Sequence, residues 1–385
     1  MEELLTAGCL GYDQRDGPQR REAAAAMLAA LGDQVNDDIF VSAMLGRASA
    51  VAALLARDPE LATTVGGPRA WPPLLYATYA RLDARRDGET YVGVVTALLD
   101  AGGDPNAYWL WDGTYRFTAI TGCFGEGEGG PRALPEHVEC LPLARLLLRR
   151  GADPNDGQAL YNRMFTTGST CLQTLLDAGL SPTDRINWPV DSPSERTTMS
   201  YQLFHAVRQG YLERVEMLLR AGASLSERED GASLWRAAML AGQPEAATRL
   251  VTAGAVAEPL NVGEQFVAVF RAGDIVAAER LAAADPGLLD AVERDHGDLL
   301  ADAAASGDVV ALRFLVAQGV DLNRNAHTPA AHQAAYHGRV EALEFLLDAG
   351  ADPRRLDARF KATALGWAQH AGQAETAAVL VARGL

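Results

Sequence analysis

Glycine recurs at a nearly constant interval through the C-terminal half of this sequence. Each of these glycines separates two alanine-rich, apolar segments, and successive ones stand 31 to 34 residues apart. They are Gly210, Gly242, Gly273, Gly307, Gly338 and Gly372. A period of about 33 residues is typical of stacked helical repeats, in which each unit contacts its neighbours. The interval therefore predicts an elongated repeat protein.

Residues 328–353 show why one such unit has to stack on others. A short first helix ends at Gly338, which permits a sharp reversal of the chain. The second helix then carries apolar residues at the spacing of one helical face: Val340, Leu343, Leu346 and Leu347. Gly350 ends this helix as a left-handed cap and Pro353 cannot continue it, so the chain leaves as an extended finger. Because one helix pair cannot bury its apolar face alone, neighbouring units are required.

The stretches TPAAHQAAYHG (Thr328–Gly338) and LLDAGADP (Leu346–Pro353) resemble ankyrin repeats, with one extra residue between Thr328 and His332. The resemblance implies an all-α ankyrin-repeat solenoid of about ten stacked helix-turn-helix units with hairpin fingers. It also implies a scaffold that binds a partner, without identifying that partner. The stretches DPNAYWLWDG, FTAITGCFGEGE and DGQALYNRMF resemble bacterial ankyrin-repeat proteins of unassigned activity.

The regularity of the repeat divides the chain into four parts. Residues 1–37 are predicted to be an N-terminal capping segment, and residues 38–101 to be degenerate ankyrin units. Residues 102–200 are predicted to be irregular units with long fingers and insertions, and residues 201–385 to be regular units with a C-terminal cap. The irregular part is where we expect function, because regular units serve as scaffolding.

The charge of the chain argues against two classes of partner. Its net charge is −16, and Lys361 is the only lysine. Nucleic acids and anionic membranes both bind clustered basic surfaces, so we expect neither as a partner. The chain begins without a secretory signal, and its longest apolar run, Ala23–Leu31, is too short to span a membrane. The composition predicts a cytoplasmic protein, and its heavy use of alanine and arginine is typical of a high-GC bacterial genome.

Sequence motifs for catalysis, cofactors and metals are absent. GxSxG and HExxH do not occur, and the four cysteines have no metal-binding spacing. The GEGEGG stretch, residues 125–130, lacks the lysine of a phosphate loop and is interpreted as a flexible loop. His205 and His332 match or adjoin the first-helix histidine that joins turns in ankyrin repeats. We therefore predict no catalytic residue, cofactor or metal, which favours a non-enzymatic protein.

The period fails in the irregular part, where two long fingers flank a missing one. The first finger, residues 104–117, carries aromatic residues around an Asp-Gly pair that favours a tight hairpin turn. The next unit has almost no finger, and the connection after it, residues 181–200, contains Trp188. These features predict a notch that is walled by tryptophans and floored by residues 161–163.

Ten residues are candidates for binding in this notch: Tyr108, Trp109, Trp111, Asp112, Tyr115, Arg116, Tyr161, Asn162, Arg163 and Trp188. Two interpretations of the aromatic finger stay open. It is a surface for a partner, since Trp, Tyr and Arg are enriched in binding hot spots, or it packs on its neighbour and plugs the gap. Arg163 either grips a carboxylate of the ligand in two parallel bonds or forms a salt bridge with Asp153 or Asp156.

The sequence thus predicts a non-enzymatic scaffold that recognises a protein or peptide through its finger side and concave face. The alternative is a small-molecule-binding protein or an unrecognised enzyme that uses the aromatic notch around residues 108–116, 161–163 and 188. That alternative rests on the suitability of deep, aromatic-lined gaps with a few polar groups as ligand sites. A self-associating structural module is a third interpretation.

Overall fold

The computed structural model describes residues 1–31, 37–187, 194–323 and 328–384. Helices form 56% of the chain, and the described strands form two short two-stranded sheets. The prediction of a mostly helical fold with few strands is therefore confirmed. The chain divides into two compact units, residues 1–234 and 235–385.

The first unit consists mainly of short helices. They are α1 (Glu2–Gly8), α2 (Pro18–Leu31), α3 (Ile39–Met44), α4 (Ala48–Arg57), α5 (Pro73–Thr78), α6 (Tyr91–Asp100), α7 (Ala119–Phe124), α8 (Gly130–Ala133), α9 (Cys140–Arg149), α10 (Gly157–Arg163), α11 (Thr170–Asp177), α12 (Thr198–Gln209) and α13 (Leu212–Arg220). A 3-10 helix, Pro59–Ala62, follows α4. The strands are β1 (Tyr108–Trp111), β2 (Tyr115–Thr118), β3 (Arg228–Glu229) and β4 (Ala232–Ser233).

The second unit has helices throughout its described residues. They are α14 (Leu234–Leu240), which starts at the division, α15 (Pro244–Thr252), α16 (Val262–Arg271), α17 (Ile275–Ala284), α18 (Leu288–His296), α19 (Leu299–Ser306), α20 (Val309–Ala317), α21 (Ala330–Tyr336), α22 (Val340–Asp348), α23 (Ala364–His370) and α24 (Ala374–Ala382). Helix α18 is an extra helix that the repeat pattern does not predict.

Consecutive helix pairs pack side by side within each unit. In the first unit, α3, α5, α7, α10 and α12 contact one another in succession, as do α4, α6, α9 and α11. In the second unit, α19, α21 and α23 form one row, and α20, α22 and α24 form the next. The leucines at the centre of the apolar face of α22, Leu343 and Leu346, are fully buried. Burial of each such side chain contributes about 1.5–3 kcal/mol to the free energy of unfolding.

The connections between helix pairs are joined by asparagine side chains. Asn106 donates from Nδ2 to the carbonyl of Gly151 at 2.9 Å and accepts from the backbone N–H of Asp153 at 2.8 Å. In the second unit, Asn323 makes the same two bonds with Gly350 and Asp352, at 2.9 and 2.7 Å. Each asparagine therefore ties its own finger to the beginning of the next one.

Arginine side chains hold several helix-helix turns by donating to backbone carbonyls. Arg81 donates to the carbonyls of Gly122 at 2.6 Å and Pro135 at 2.7 Å. Arg339 donates from Nε to the carbonyl of Ala305 at 2.9 Å. A guanidinium offers five N–H donors in a planar fork, whereas a lysine ammonium offers three from one point. This use of arginine gives a structural reason for its predominance over lysine.

The connection between α22 and α23 is organised around one buried carboxylate. Asp357 accepts hydrogen bonds from four donors: the backbone N–H groups of Arg359, Phe360 and Ala362, and the indole of Trp367. Burial alone would raise the pKa of the Asp357 carboxyl, but these hydrogen bonds outweigh burial and lower the pKa to about 2. The carboxylate is therefore ionised in the folded chain at all pH values near neutrality.

We expect Asp357→Asn to destabilise the chain by about 1–2 kcal/mol at neutral pH. The asparagine side chain replaces one carboxylate oxygen by an NH2 group, which cannot accept the hydrogen bonds that this oxygen receives. An unfolded aspartate titrates near about 3.9, so the Asp357 carboxylate stabilises the fold above that pH. This contribution is lost as the pH falls through about 2. In urea unfolding, the difference in free energy of unfolding between wild type and variant should be constant above about pH 5 and should shrink toward pH 3. A difference that does not change with pH would contradict this role.

Candidate binding cleft

Strands β1 and β2 form the hairpin that the aromatic segment predicts. They are antiparallel, with Tyr108 opposite Thr118, Trp109 opposite Phe117, Leu110 opposite Arg116 and Trp111 opposite Tyr115. The turn contains Asp112 at φ 49° and Gly113 at φ 69°. Positive φ at both positions is the requirement of the hairpin turn that Asp-Gly favours.

Side chains alternate between the two faces of this hairpin, and the faces differ in character. One face carries Trp109, Trp111, Tyr115 and Phe117, and the other carries Tyr108, Leu110, Arg116 and Thr118. We call these the aromatic face and the open face. The candidate residues of the first finger are therefore split between two surfaces, apart from Asp112 in the turn.

The aromatic face packs on other parts of the first unit. The ring centroid of Trp109 lies 5.3 Å from that of Trp71 and 5.0 Å from that of Phe117. Phe117 is 4% exposed and also contacts Tyr12, with ring centroids 4.6 Å apart. Trp111 donates from its indole to the carbonyl of Tyr12 at 3.0 Å and keeps 38% of its surface exposed. This face fixes the hairpin on the N-terminal segment and on the preceding connection.

The open face leaves apolar surface exposed. Tyr108 is 48% exposed and Leu110 is 41% exposed. The guanidinium carbon of Arg116 lies 4.8 Å from the ring centroid of Tyr108, a cation-π contact. In the described parts of the chain, no carboxylate forms an ion pair with Arg116. The open face therefore offers an aromatic ring, an aliphatic side chain and a cation side by side.

Arg116 and Thr118 of the open face line a cleft of about 260 Å³. Its other lining residues are Pro105, Asn106, Ile120, Ala152, Asp153, Asn155, Asp156 and Asn187. The cleft lies at the short connection between α9 and α10, with the first finger on one side. Asn187, from the connection between α11 and α12, contributes the opposite side. Most of the lining side chains are polar, so the cleft differs from the aromatic notch that the sequence predicts.

The two acidic residues of the cleft have different roles. Asp156 caps α10 by accepting from the backbone N–H of Ala159 at 2.9 Å, and it also accepts from the hydroxyls of Thr118 and Thr121. Burial raises the pKa of the Asp156 carboxyl above its usual range, although these hydrogen bonds oppose that shift. Asp153 is exposed. The carboxylate of Asp153 and the guanidinium of Arg116 are thus the charges available to a ligand.

Asparagines join the far side of the cleft to its floor. Asn155 donates from Nδ2 to the carbonyl of Arg185 at 2.8 Å. Asn187 donates to the carbonyl of Asn155 and accepts from the backbone N–H of Gly157 at 3.2 Å. These bonds set the position of the second finger at its base.

The structure places Asn162 and Arg163 away from the cleft. Arg163 is 8% exposed and forms ion pairs with Glu126 at 2.7 Å and Glu136 at 2.8 Å. Its partners are therefore not Asp153 or Asp156, the acids considered from the sequence. Asn162 is 2% exposed and donates to the hydroxyl of Tyr12 at 3.1 Å. Both side chains support the fold in this structure.

Tyr161 contacts the segment of residues 125–136 and does not line the cleft. Its hydroxyl donates to the carboxylate of Glu128, and its ring meets that of Phe165 edge to face at 5.2 Å between centroids. The remaining candidate, Trp188, lies outside the described residues. Of the nine described candidates, Arg116 is the one that lines the cleft, and Tyr108 lies beside it on the open face.

The inserted segment 125–136 is held in place by two arginines. Glu126 is 5% exposed and pairs with Arg163, and Arg81 donates to the carbonyl of Pro135. Burial raises the pKa of the Glu126 carboxyl, and the charge of Arg163 opposes this shift only in part. The sequence gives no signal for the Arg163–Glu126 pair. The sequence analysis also does not single out Trp71, which precedes α5 and contacts Trp109 of the aromatic finger.

The comparison with known families concerns the second unit. Residues 266–357 match the family model described as ankyrin repeats (3 copies). No curated protein matches the chain. Ankyrin repeats are generally modules of protein-protein interaction, which is consistent with a binding scaffold. The cleft lies in the first unit and outside the matched residues.

Three further features of the described residues bear on function. They contain no group of three or more His, Cys, Asp or Glu side chains that is arranged to hold a metal ion. No helix among them is both long and apolar enough to cross a membrane. The four cysteines are free and buried.

Proposed function

We propose that this protein is a non-enzymatic scaffold that binds a peptide segment of a partner protein at the open face of the hairpin and in the adjoining cleft. The proposal extends the ankyrin arrangement of residues 266–357 over the chain as a solenoid of about ten units. It includes a cytoplasmic location in a bacterium, for which the composition is the support.

The observation that carries this proposal is the exposure of Tyr108 and Leu110 beside Arg116. The aromatic face packs on its own chain through Trp109 and Phe117, although Trp111 keeps 38% of its surface exposed, whereas Tyr108 and Leu110 of the opposite face are 48% and 41% exposed. Tyrosine and arginine are enriched in binding hot spots, where a few side chains supply most of the affinity. A rigid hairpin also presents them without a large loss of conformational entropy on binding.

The cleft favours a peptide over a small molecule. Its volume of about 260 Å³ is below the range of typical ligand pockets, about 300–1,000 Å³, and seven of its ten lining residues are polar. Asp153 and Arg116 offer one charge of each sign, and the asparagines offer amide donors and acceptors, which suit a peptide backbone with flanking charged residues. The aromatic notch of the small-molecule alternative includes residues 161–163, which do not line this cleft.

The test is selection of displayed random peptides on the immobilised full chain, followed by fluorescence anisotropy with the enriched peptides. We expect Tyr108→Ala/Leu110→Ala to weaken their binding at least about tenfold, or about 1.4 kcal/mol. Arg116→Ala should have a similar effect. The melting temperature should change little, because both apolar side chains are already partly exposed.

Val65→Ala is the matched control, since Val65 is 61% exposed in the same unit and lies outside the cleft. It should bind the selected peptides as the wild type does. Selection of peptides that the Tyr108→Ala/Leu110→Ala variant binds equally well would refute the cleft as the binding site. Stabilisation by a member of a metabolite panel, lost in Arg116→Ala, would support the small-molecule alternative instead.

A further inference from the structure

The connection between α22 and α23 is basic in a chain whose net charge is −16. Residues 354–361 contain the cations Arg354, Arg355, Arg359 and Lys361, the last being the only lysine of the protein. Their one acidic residue, Asp357, is 1% exposed and uses its carboxylate for four hydrogen bonds within the connection. Asp352 of the same connection is exposed, but the exposed cations outnumber it, so the surface of this finger is positive on balance.

Two of these cations, Arg359 and Lys361, are available to a partner, whereas the guanidinium of Arg354 donates to the carbonyl of Gly384 at 3.1 Å. Arg354, Arg359 and Lys361 are exposed, and no carboxylate in the described parts of the chain forms an ion pair with them. Elsewhere arginines pair with acids, as Arg383 does with Asp348 at 2.7 Å. Unpaired cations that stand together on an acidic protein favour contact with a negatively charged group.

Exposed aromatic side chains lie beside these cations. Phe360 is 61% exposed and meets Trp367 edge to face, with ring centroids 5.9 Å apart. Tyr336 is 39% exposed, and its ring centroid lies 5.7 Å from that of Trp367. The guanidinium carbon of Arg359 lies 4.9 Å from the centroid of Phe360. We call Tyr336, Arg359, Phe360, Lys361 and Trp367 the basic aromatic surface.

The hydrogen bonds of Asp357 hold this surface in one arrangement. Asp357 receives the backbone N–H groups of Arg359 and Phe360 and the indole of Trp367. The finger and α23 are therefore fixed to each other at the same carboxylate. A surface that is ordered before binding loses less conformational entropy when a partner docks.

We propose that the basic aromatic surface docks an acidic segment of a partner protein that carries an apolar or aromatic side chain. The carboxylates of such a segment meet Arg359 and Lys361, and its apolar side chain packs on Phe360 and Trp367. A nucleic acid fits less well, because it carries a charge at every nucleotide and has to pass along the acidic remainder of the chain. This surface shares no residue with the cleft. A result that refutes binding at one of the two sites therefore does not refute binding at the other.

The experiment measures fluorescence anisotropy of labelled probes with the full chain. The probes are an acidic peptide with a central Phe-Leu pair, the same peptide with Gly-Ser in the centre, its counterpart with lysines in place of the acids, and an oligothymidine. We expect the acidic Phe-Leu peptide to bind at least about tenfold tighter than the other three probes. Its affinity should fall as salt is raised.

Two variants test the surface directly. Arg359→Glu/Lys361→Glu and Phe360→Ser should each weaken binding of the acidic Phe-Leu peptide at least about tenfold. Arg145→Glu/Arg149→Glu, which changes the net charge by the same amount at exposed arginines of α9, should bind as the wild type does. Tyr108→Ala/Leu110→Ala should also leave this binding unchanged. Melting temperatures show whether each variant is folded.

Three results would overturn the proposal. The first is that the α9 control variant weakens binding of the acidic Phe-Leu peptide as much as Arg359→Glu/Lys361→Glu does, because the effect would then come from net charge alone. The second is tighter binding of the oligothymidine than of any peptide. The third is concentration-dependent self-association, measured by light scattering, that Phe360→Ser removes while peptide binding is absent, because the occupant would then be a second copy of this chain.

Discussion

Trp109→Ala is expected to lower the free energy of unfolding by about 3–4 kcal/mol. The indole of Trp109 packs against Trp71, Tyr79 and Phe117, at centroid distances of 5.3, 6.1 and 5.0 Å. Truncation to alanine removes this apolar contact and leaves a cavity at the base of the hairpin. Urea unfolding followed by circular dichroism measures the change.

Trp111→Ala is the matched comparison, with an expected cost of about 1 kcal/mol. Trp111 lies on the same face of the hairpin, but it is 38% exposed and makes one hydrogen bond, to the carbonyl of Tyr12. The two variants therefore separate packing at the base of the hairpin from contact near its tip. A Trp109→Ala variant as stable as the wild type would show that the aromatic face does not hold the hairpin. Equal losses of stability in both variants would show that packing at the base matters no more than contact near the tip.

This prediction bears on the choice between an aromatic finger that binds and one that packs. The structure assigns packing to Trp109 and leaves the exposed face with Tyr108 and Leu110. The alternation of side chains along a strand already separates these residues in the sequence, once the Asp-Gly turn fixes the register. Treating all aromatics of the finger as one surface overlooked that alternation.

The repeating elements could be predicted from the sequence because their causes are local. Gly338, at φ 66°, ends the turn between α21 and α22 as its spacing indicates. The apolar face of α22 is buried at Leu343 and Leu346, as helical periodicity requires. Such features depend on residues a few positions apart.

The contacts of the candidate site could not be predicted in the same way, because they join residues far apart in the chain. Arg163 pairs with Glu126 and Glu136, which belong to an insertion whose path no periodicity describes. Asn162 bonds to Tyr12, which lies 150 residues earlier. Polar residues in an irregular segment have many acids and amides within reach, and the sequence alone does not select among them.

Arginine in this fold is structural at several sites, and Arg214 gives the strongest test. It is 2% exposed, and its guanidinium donates to four carbonyls of the turn between α10 and α11. These acceptors are Arg163 and Met164 at 3.3 Å, Thr166 at 2.8 Å and Gly168 at 2.7 Å. This turn has no regular pattern of backbone-backbone hydrogen bonds, and the guanidinium supplies the donors for its carbonyls instead.

We expect Arg214→Ala to lower the free energy of unfolding by about 3 kcal/mol, because it removes four hydrogen bonds from a charged group, two of them to the buried carbonyls of Arg163 and Met164. Arg214→Lys should recover only part of this loss, since one ammonium cannot reach all four acceptors. Arg149→Ala, at an exposed arginine of α9 whose side chain makes no hydrogen bond to a described residue, should change stability by less than about 0.5 kcal/mol. Hydrogen exchange should locate the loss in α10 and α11, next to the cleft. If Arg214→Ala is as stable as Arg149→Ala, water replaces the guanidinium at this turn, and the arginine does not hold the irregular units together.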